Sequence, residues 1–224
     1  AEVANLAECH GPLLDLIAEL AVGGRAVARD LYACRGWTAH HNTDIWRTAW
    51  PVGAGTGDPV WSLWPMGAAW LCQHLWEHYA YSGDRAFLEQ RAYPLMREAA
   101  LFVLDWLVED GQGRLVTCPS TSPENKFLLG GQPLAVSAGS SMDLSLAREL
   151  LTHCVAASEL LGVDAELRAQ WASALARLRP LRIGQGGQLL EWEQEWEEAE
   201  PGHRHVSHLY GLYPGEEITP WGAP

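Results

Sequence analysis

In the stretch LSLARELLTHCVAASELLG, Leu144, Ala147, Leu151, Cys154, Ala157 and Leu161 recur at steps of three and four. That period places them along one side of an α-helix, with Ser141 and Asp143 as capping side chains and Gly162 as the stop. The next segment repeats the pattern: Asp164 offers a cap, Leu167, Trp171, Ala174, Leu175 and Leu178 form an apolar face, and Pro180 ends it. A connection this short makes the two an antiparallel helical hairpin. Upstream, Pro65 to Ala80 predicts another helix. The turn Ser82-Gly83-Asp84 leads to a short helix and then to a longer one that begins at Pro94 and buries Leu95, Ala99, Phe102, Val103 and Trp106. PLLDLIAEL, residues 12 to 20, predicts one more.

Between these helices lie three long polar stretches without a regular period, at 34–60, 111–140 and 184–220. Compact domains rarely carry loops of such length unless the loops have a task. The pattern is one of helical hairpins with long loops at their ends, with no low-complexity linker and no self-repeat visible in the sequence.

Composition narrows the task. Of 224 residues, 48% are apolar, enough for a substantial core. A formal net charge of -13 repels nucleic acid and anionic membrane surfaces, and no basic run relieves it. No apolar run approaches the roughly 18 to 20 residues that span a bilayer, and AEVANLAECH lacks the basic start and apolar centre of a signal peptide. Neither a nucleic-acid partner nor membrane insertion is expected. The five cysteines are dispersed without a CxxC pair and are read mostly as small core residues. Tryptophan is in surplus, with 12 against 3 Phe, and indoles serve both large cores and sugar stacking.

Each polar stretch concentrates chemistry. HHNTDIWRTAWP crowds His40, His41, Asn42, Asp44 and Arg47 between tryptophans, Trp50 among them. In an extended segment Asn42 and Asp44 share a face and can orient a water or sugar hydroxyls; the alternative is a loop whose side chains satisfy its own backbone. In CPSTSPENKF, Pro119 and Pro123 stiffen the loop around Glu124, a candidate general acid. EWEQEWEEAEPGHRHVSHLYGLYPG holds solvated acids at Glu193, Glu197 and Glu198, then His203, Arg204, His205 and His208. The histidines suggest hydrogen bonding to hydroxyls and carboxylates. They lack the adjacent glutamate of HExxH, so a zinc hydrolase stands only as the alternative, and no metal or cofactor is expected.

HHNTDIWR, STSPENKF and HRHVSHLYGLYPG, in this order, closely resemble the catalytic domain of family 95 glycoside hydrolases, inverting alpha-L-fucosidases that remove alpha-1,2-linked L-fucose. The likeness extends from about residue 30 to 220 and includes GDPVWSLWPMGAAWLCQHLWEHY and SSMDLSLARELL. It implies an all-α fold, the (α/α)6 toroid of six-hairpin glycosidases, with the pocket built by long loops at one end. It further implies Glu124 as the acid, Asn42 and Asp44 as holders of the attacking water, and a carboxylate shortly before the HRH motif as the base. Glu200 fills that last place, with Glu195 as its rival. His40, His41, Arg47, Trp50, His203, Arg204 and His205 are candidates for contacts with the sugar.

This chain offers only five or six of the twelve helices of a toroid. It is therefore expected to be a partial catalytic domain over residues 1–224, without the flanking β-rich regions of the family. A fucosylated oligosaccharide or glycan is the expected substrate. Alpha-L-galactosidase activity, or a fragment that only binds sugar, are the alternatives. Location is left open, with an extracellular or periplasmic parent enzyme in keeping with the family and no signal peptide in this chain.

Overall fold

A computed structural model describes residues 7–55 and 57–221. The first six residues, part of the segment read above for a leader, and the last three of TPWGAP lie outside them. In chain order the α-helices are α1 (Gly11–Tyr32), α2 (Pro59–Ser62), α3 (Gly67–Ser82), α4 (Arg85–Phe87), α5 (Tyr93–Trp106), α6 (Ser141–Leu161) and α7 (Ala165–Arg177), and 3-10 turns stand at Ala7–His10, Val52–Gly55 and Ser207–Leu209. Among the described residues short strands accompany them: β1 (Leu107–Glu109), β2 (Leu115–Thr117), β3 (Ser120–Thr121), β4 (Phe127–Leu129), β5 (Gln132–Leu134), β6 (Val136–Ser137) and β7 (Glu197–Glu198). The fold is thus helical with a few strands, which the expectation of an all-α chain did not include. Among the described residues no helix is long and apolar enough to cross a membrane.

The chain divides into two compact units. The first comprises Ala1–Trp50, Pro65–Asp105 and Leu150–Ala176, and the second Pro51–Trp64, Trp106–Glu149 and Arg177–Pro224.

In the first unit, α1 is much longer than the nine residues expected. Its buried positions Leu14, Ile17, Ala21, Gly24, Val27 and Ala28 continue the helical period through the pair Gly23-Gly24. Gly24 is there for space: a Cβ would lie 2.4 Å from the Thr38 carbonyl oxygen and 2.9 Å from the Trp37 ring. Trp37 itself is fully buried and donates its indole N–H to the Leu95 carbonyl at 2.9 Å. Gly67 at the start of α3 allows the same kind of approach, with the Ala39 carbonyl 2.6 Å from where a Cβ would stand.

The short and long helices expected around residues 85–106 join through a π-helical stretch, Leu88–Ala92. Pro94 has no N–H to donate into an α-turn, and a locally widened turn just before it accommodates that gap. Three of the five cysteines, Cys34, Cys72 and Cys154, are buried, while Cys9 and Cys118 are exposed. The capping role expected of Asp164 is not what its side chain does: the carboxylate accepts from Tyr93 Oη at 2.8 Å and Arg97 Nε at 2.9 Å, and its backbone is left-handed at φ 52°.

The second unit is built around strands and loops. β1 pairs with β2, β3 with β6, and β4 lies between β5 and β7, all antiparallel. The β4–β5 hairpin turns at Gly130 and Gly131, with φ of 60° and 76°, the double positive φ of a two-residue hairpin turn. At the start of α6, Ser140 rather than Ser141 or Asp143 caps, its Oγ accepting from the Asp143 N–H at 3.4 Å. Ser141 and Asp143 are drawn elsewhere: Ser141 Oγ donates to the Leu190 carbonyl at 2.5 Å, and Asp143 accepts bonds from Thr117 of β2 and Ser120 of β3.

The two neighbouring glycines of α1 give a test with opposite signs. Gly24→Ala is expected to cost about 2–4 kcal/mol, because the new methyl overlaps a backbone carbonyl. Gly23→Ala meets nothing within 4 Å, and is expected to stabilise by about 0.5–1 kcal/mol through helix propensity. Urea unfolding midpoints of the two variants check both; equal shifts would contradict the close approach at Gly24.

Candidate active site

Glu124 sits at the third position of a tight turn closed by the Asn125 N–H donating to the Ser122 carbonyl at 2.8 Å. The turn leaves β3 and enters β4. Ser122 and Asn125 are buried, while the Glu124 side chain is 21% exposed, so the turn is seated in the unit with one carboxylate at its rim.

The histidine segment meets that carboxylate. Arg204 donates through Nη2 to Glu124 Oε2 at 2.5 Å, and His205 Nε2 lies 3.4 Å from the same oxygen. Ser207 Oγ donates to the Pro123 carbonyl at 2.5 Å. Residues about 80 apart in sequence are brought together by β7, whose Glu197 and Glu198 pair with Leu128 and Phe127 of β4. Phe127 adds stacking on Trp196, ring centres 4.1 Å apart, and an edge contact with Trp192 at 5.5 Å. The expectation that Glu197 and Glu198 face solvent holds for their side chains; their backbones form the strand that docks the histidines.

Glu200 is 73% exposed at its side chain and lies 3.3 Å from His203 Nδ1. The His203 side chain is buried, and its ring stands 5.3 Å from that of His205. Glu195, the rival base, accepts from the Gln185 N–H at 3.0 Å and from Gln188 Nε2 at 2.7 Å, which commits it to the 184–188 turn.

Two buried carboxylates hold the frame, and the sequence reading assigned a role at the site to neither. Glu191 accepts from Ser122 Oγ at 2.6 Å and Asn125 Nδ2 at 3.1 Å. Asp143 accepts from Trp64 Nε1 at 2.9 Å, Thr117 Oγ1 at 3.0 Å and Ser120 Oγ at 2.6 Å. Burial pushes the Asp143 carboxyl up to about 6 against the pull of these donors. The signal for both was available: Asp143 stands four residues before core Ala147 on the helix, and Glu191 lies between Leu190 and Trp192, which are both buried.

The HHNTDIWR motif belongs to the first unit. Asp44 closes its own turn, Oδ1 accepting from the Trp46 N–H at 2.9 Å and the Thr48 N–H at 3.3 Å. Asn42 and Asp44 are both exposed. Arg47 pairs with Glu19 at 2.6 Å, and Trp50 is 43% exposed. His40 is buried with both ring nitrogens engaged: Nδ1 faces the Ala49 carbonyl at 2.9 Å and must carry the proton, so the neutral ring accepts from Tyr32 Oη at Nε2, 2.5 Å away. Burial lowers its pKa. His41 is partly buried beside it.

Within the second unit, then, a buried carboxylate clamp seats a rim glutamate that is paired with basic side chains. The model of the glycosyl hydrolase family 95 catalytic domain matches residues 1–224, and the chain belongs to that family. It is 45% identical over 217 residues to alpha-L-fucosidase 2 of Arabidopsis thaliana, covering 96% of this chain and 25% of that protein. To a probable alpha-fucosidase A of Aspergillus niger it is 33% identical over 223 residues, covering 96% of this chain and 27% of the relative. The chain therefore spans about a quarter of the length of these curated relatives.

The buried aspartate makes stability depend on pH in a defined direction. Native Asp143 keeps its proton up to about pH 6, whereas an unfolded aspartate releases it near pH 4, so the native state binds more protons across that window. Stability from this group therefore falls as pH rises through it. His40, His74 and His153, with pKa values lowered by burial, act in the opposite sense, so the difference between wild type and Asp143→Asn isolates the aspartate. The stability of wild type minus that of the variant is expected to drop by on the order of 2 kcal/mol between pH 4 and pH 7. A difference independent of pH in urea titrations would contradict it.

Proposed function

We propose that the protein is an inverting alpha-L-fucosidase that removes terminal alpha-1,2-linked L-fucose from glycans, and that this chain forms part of an (α/α)6 toroid. Family membership and the names of the relatives support the substrate class. The observation that carries the mechanism is the seating of Glu124, one carboxyl presented on a closed turn, with Arg204 and His205 at one oxygen until substrate draws them onto its hydroxyls and leaves Glu124 to carry the proton.

An inverting glycosidase protonates the departing oxygen with one carboxyl while a second group deprotonates a water on the opposite face of the sugar. In this reading Glu124 supplies the proton. Asn42 and the second carboxylate oxygen of Asp44, whose Oδ1 closes its own turn, hold the water, and Glu200 takes its proton. Glu200 is preferred over Glu195 because Glu195 is already bound into a turn, whereas the contact of Glu200 with His203 links it to the basic cluster that also holds Glu124. His203, Arg204 and His205 contact fucose hydroxyls once substrate arrives, together with His41 and the exposed ring of Trp50. His40 supports this loop through its ring nitrogens.

Leaving-group dependence separates the roles. In the complete natural protein, Glu124→Gln is expected to slow cleavage of an alpha-1,2-fucosylated oligosaccharide by about 1,000-fold, yet to keep most activity on alpha-L-fucosyl fluoride, whose leaving group needs no acid. Glu200→Gln is expected to lose on the order of 100-fold on both substrates. Full activity of either variant on the oligosaccharide would sink its assignment. Proton NMR of the first product is expected to show beta-L-fucose; an initial alpha anomer would rule out inversion.

A further inference from the structure

Glu191 is a carboxylate with 6% side-chain exposure, set beneath the turn that carries Glu124. Its two oxygens divide their partners. Oε1 accepts from Ser122 Oγ at 2.6 Å and Oε2 from Asn125 Nδ2 at 3.1 Å, the first and last residues of that turn. The orientation of the Asn125 amide is fixed independently, because its Oδ1 accepts the Lys126 N–H at 2.8 Å. The amide N–H2 must therefore face Glu191. His208 Nδ1 lies 3.4 Å from Oε2, near the same carboxylate but without a hydrogen bond to it.

The clamp is itself fixed. The Glu191 carbonyl accepts the Ser141 N–H at 3.0 Å, and the Leu190 carbonyl accepts Ser141 Oγ at 2.5 Å, so the residue is anchored to the first turn of α6. One side chain thus grips both ends of a four-residue turn whose third residue is Glu124. A shift of the ends moves the Glu124 carboxyl.

We infer that Glu191 is the positioning residue that aims Glu124 at the departing glycosidic oxygen, acting through Ser122 and Asn125 and never touching the substrate. The inference rests on the reading of Glu124 as the acid. A group that has to reach one oxygen within hydrogen-bond distance is sensitive to displacement of about 1 Å, which costs on the order of 100-fold. The loss should fall on substrates that need the acid and spare those that do not, a distinction that a general loss of structure does not make.

Three variants of the complete natural protein test this, each assayed on an alpha-1,2-fucosylated oligosaccharide and on alpha-L-fucosyl fluoride. Glu191→Leu removes both acceptors and is expected to lower kcat on the oligosaccharide by about 100-fold and on the fluoride by less than about 5-fold. Glu191→Gln keeps an acceptor for Asn125, and its amide can donate to the Ser122 hydroxyl; it is expected to recover most of the oligosaccharide activity. Ser122→Ala, a small change that tests the clamp should Glu191→Leu fail to fold, is expected to lower the oligosaccharide rate about 10-fold and leave the fluoride rate within about 2-fold. Equal losses on both substrates, or an unchanged oligosaccharide rate in Ser122→Ala, would overturn the inference. Glu124→Gln in the same assays keeps the two readings apart. If it discriminates between the substrates while the Glu191 and Ser122 variants do not, only the positioning role fails. If Glu124→Gln does not discriminate, the acid assignment has failed first.

Discussion

A loop that enters the interior of a protein must bring hydrogen-bond partners with it, because each buried backbone or hydroxyl group left unpaired costs about 1–3 kcal/mol. The second unit is organised by that constraint. Its polar stretches cannot rely on helix ladders, so they converge on two buried carboxylates. Asp143 collects Trp64, Thr117 and Ser120, and Glu191 collects Ser122 and Asn125. Each carboxylate accepts several bonds at once, which lets a small number of acids order a long segment. The consequence is a rigid platform made from residues that would otherwise form a mobile loop, and the turn bearing Glu124 stands upon it.

Helices were legible in the sequence wherever apolar spacing was unbroken. α6 and α7 follow the expected faces to within a residue or two at their ends, and Gly162 stops α6 in a left-handed conformation at φ 74°. The period failed to show where glycine served packing rather than termination. In α1 the pair Gly23-Gly24 carries the signature of a break, but the close approach of Thr38 makes Gly24 a helix residue chosen for size. The short strands were hidden for a different reason: pairs such as Ser120 with Ser137 and Thr121 with Val136 are two residues long, too short for any alternation to register. Their stability comes from neighbours that only the folded chain supplies.

The site was legible in composition and partly in role. Motif density drew attention to Glu124, Arg204 and His205, and these three do meet. What the sequence concealed was which acids lie inside. EWEQEWEEAE offers six glutamates in ten positions, and nothing local separates Glu191, at the core, from Glu200, at the surface. The separation is made by β7, which lays its strand along β4 and, with the stacking of Phe127 against Trp196, fixes which side of the segment faces inward.

That geometry also assigns different work to the polar residues within one motif. Of the histidine segment, Arg204 and His205 address the rim carboxylate, Ser207 holds the Pro123 carbonyl, and His208 lies 3.4 Å from the buried carboxylate. Residues of a bend and of the 3-10 turn that follows it thus reach different parts of the same site. A regular helix would direct side chains at spacings of three or four to one face, and a strand would alternate them strictly. A bend that gives way to a single 3-10 turn, Ser207–Leu209, can send adjacent side chains to one carboxylate and the next to its support, and neither piece is long enough to show the periodicity by which the rest of the fold was recognised.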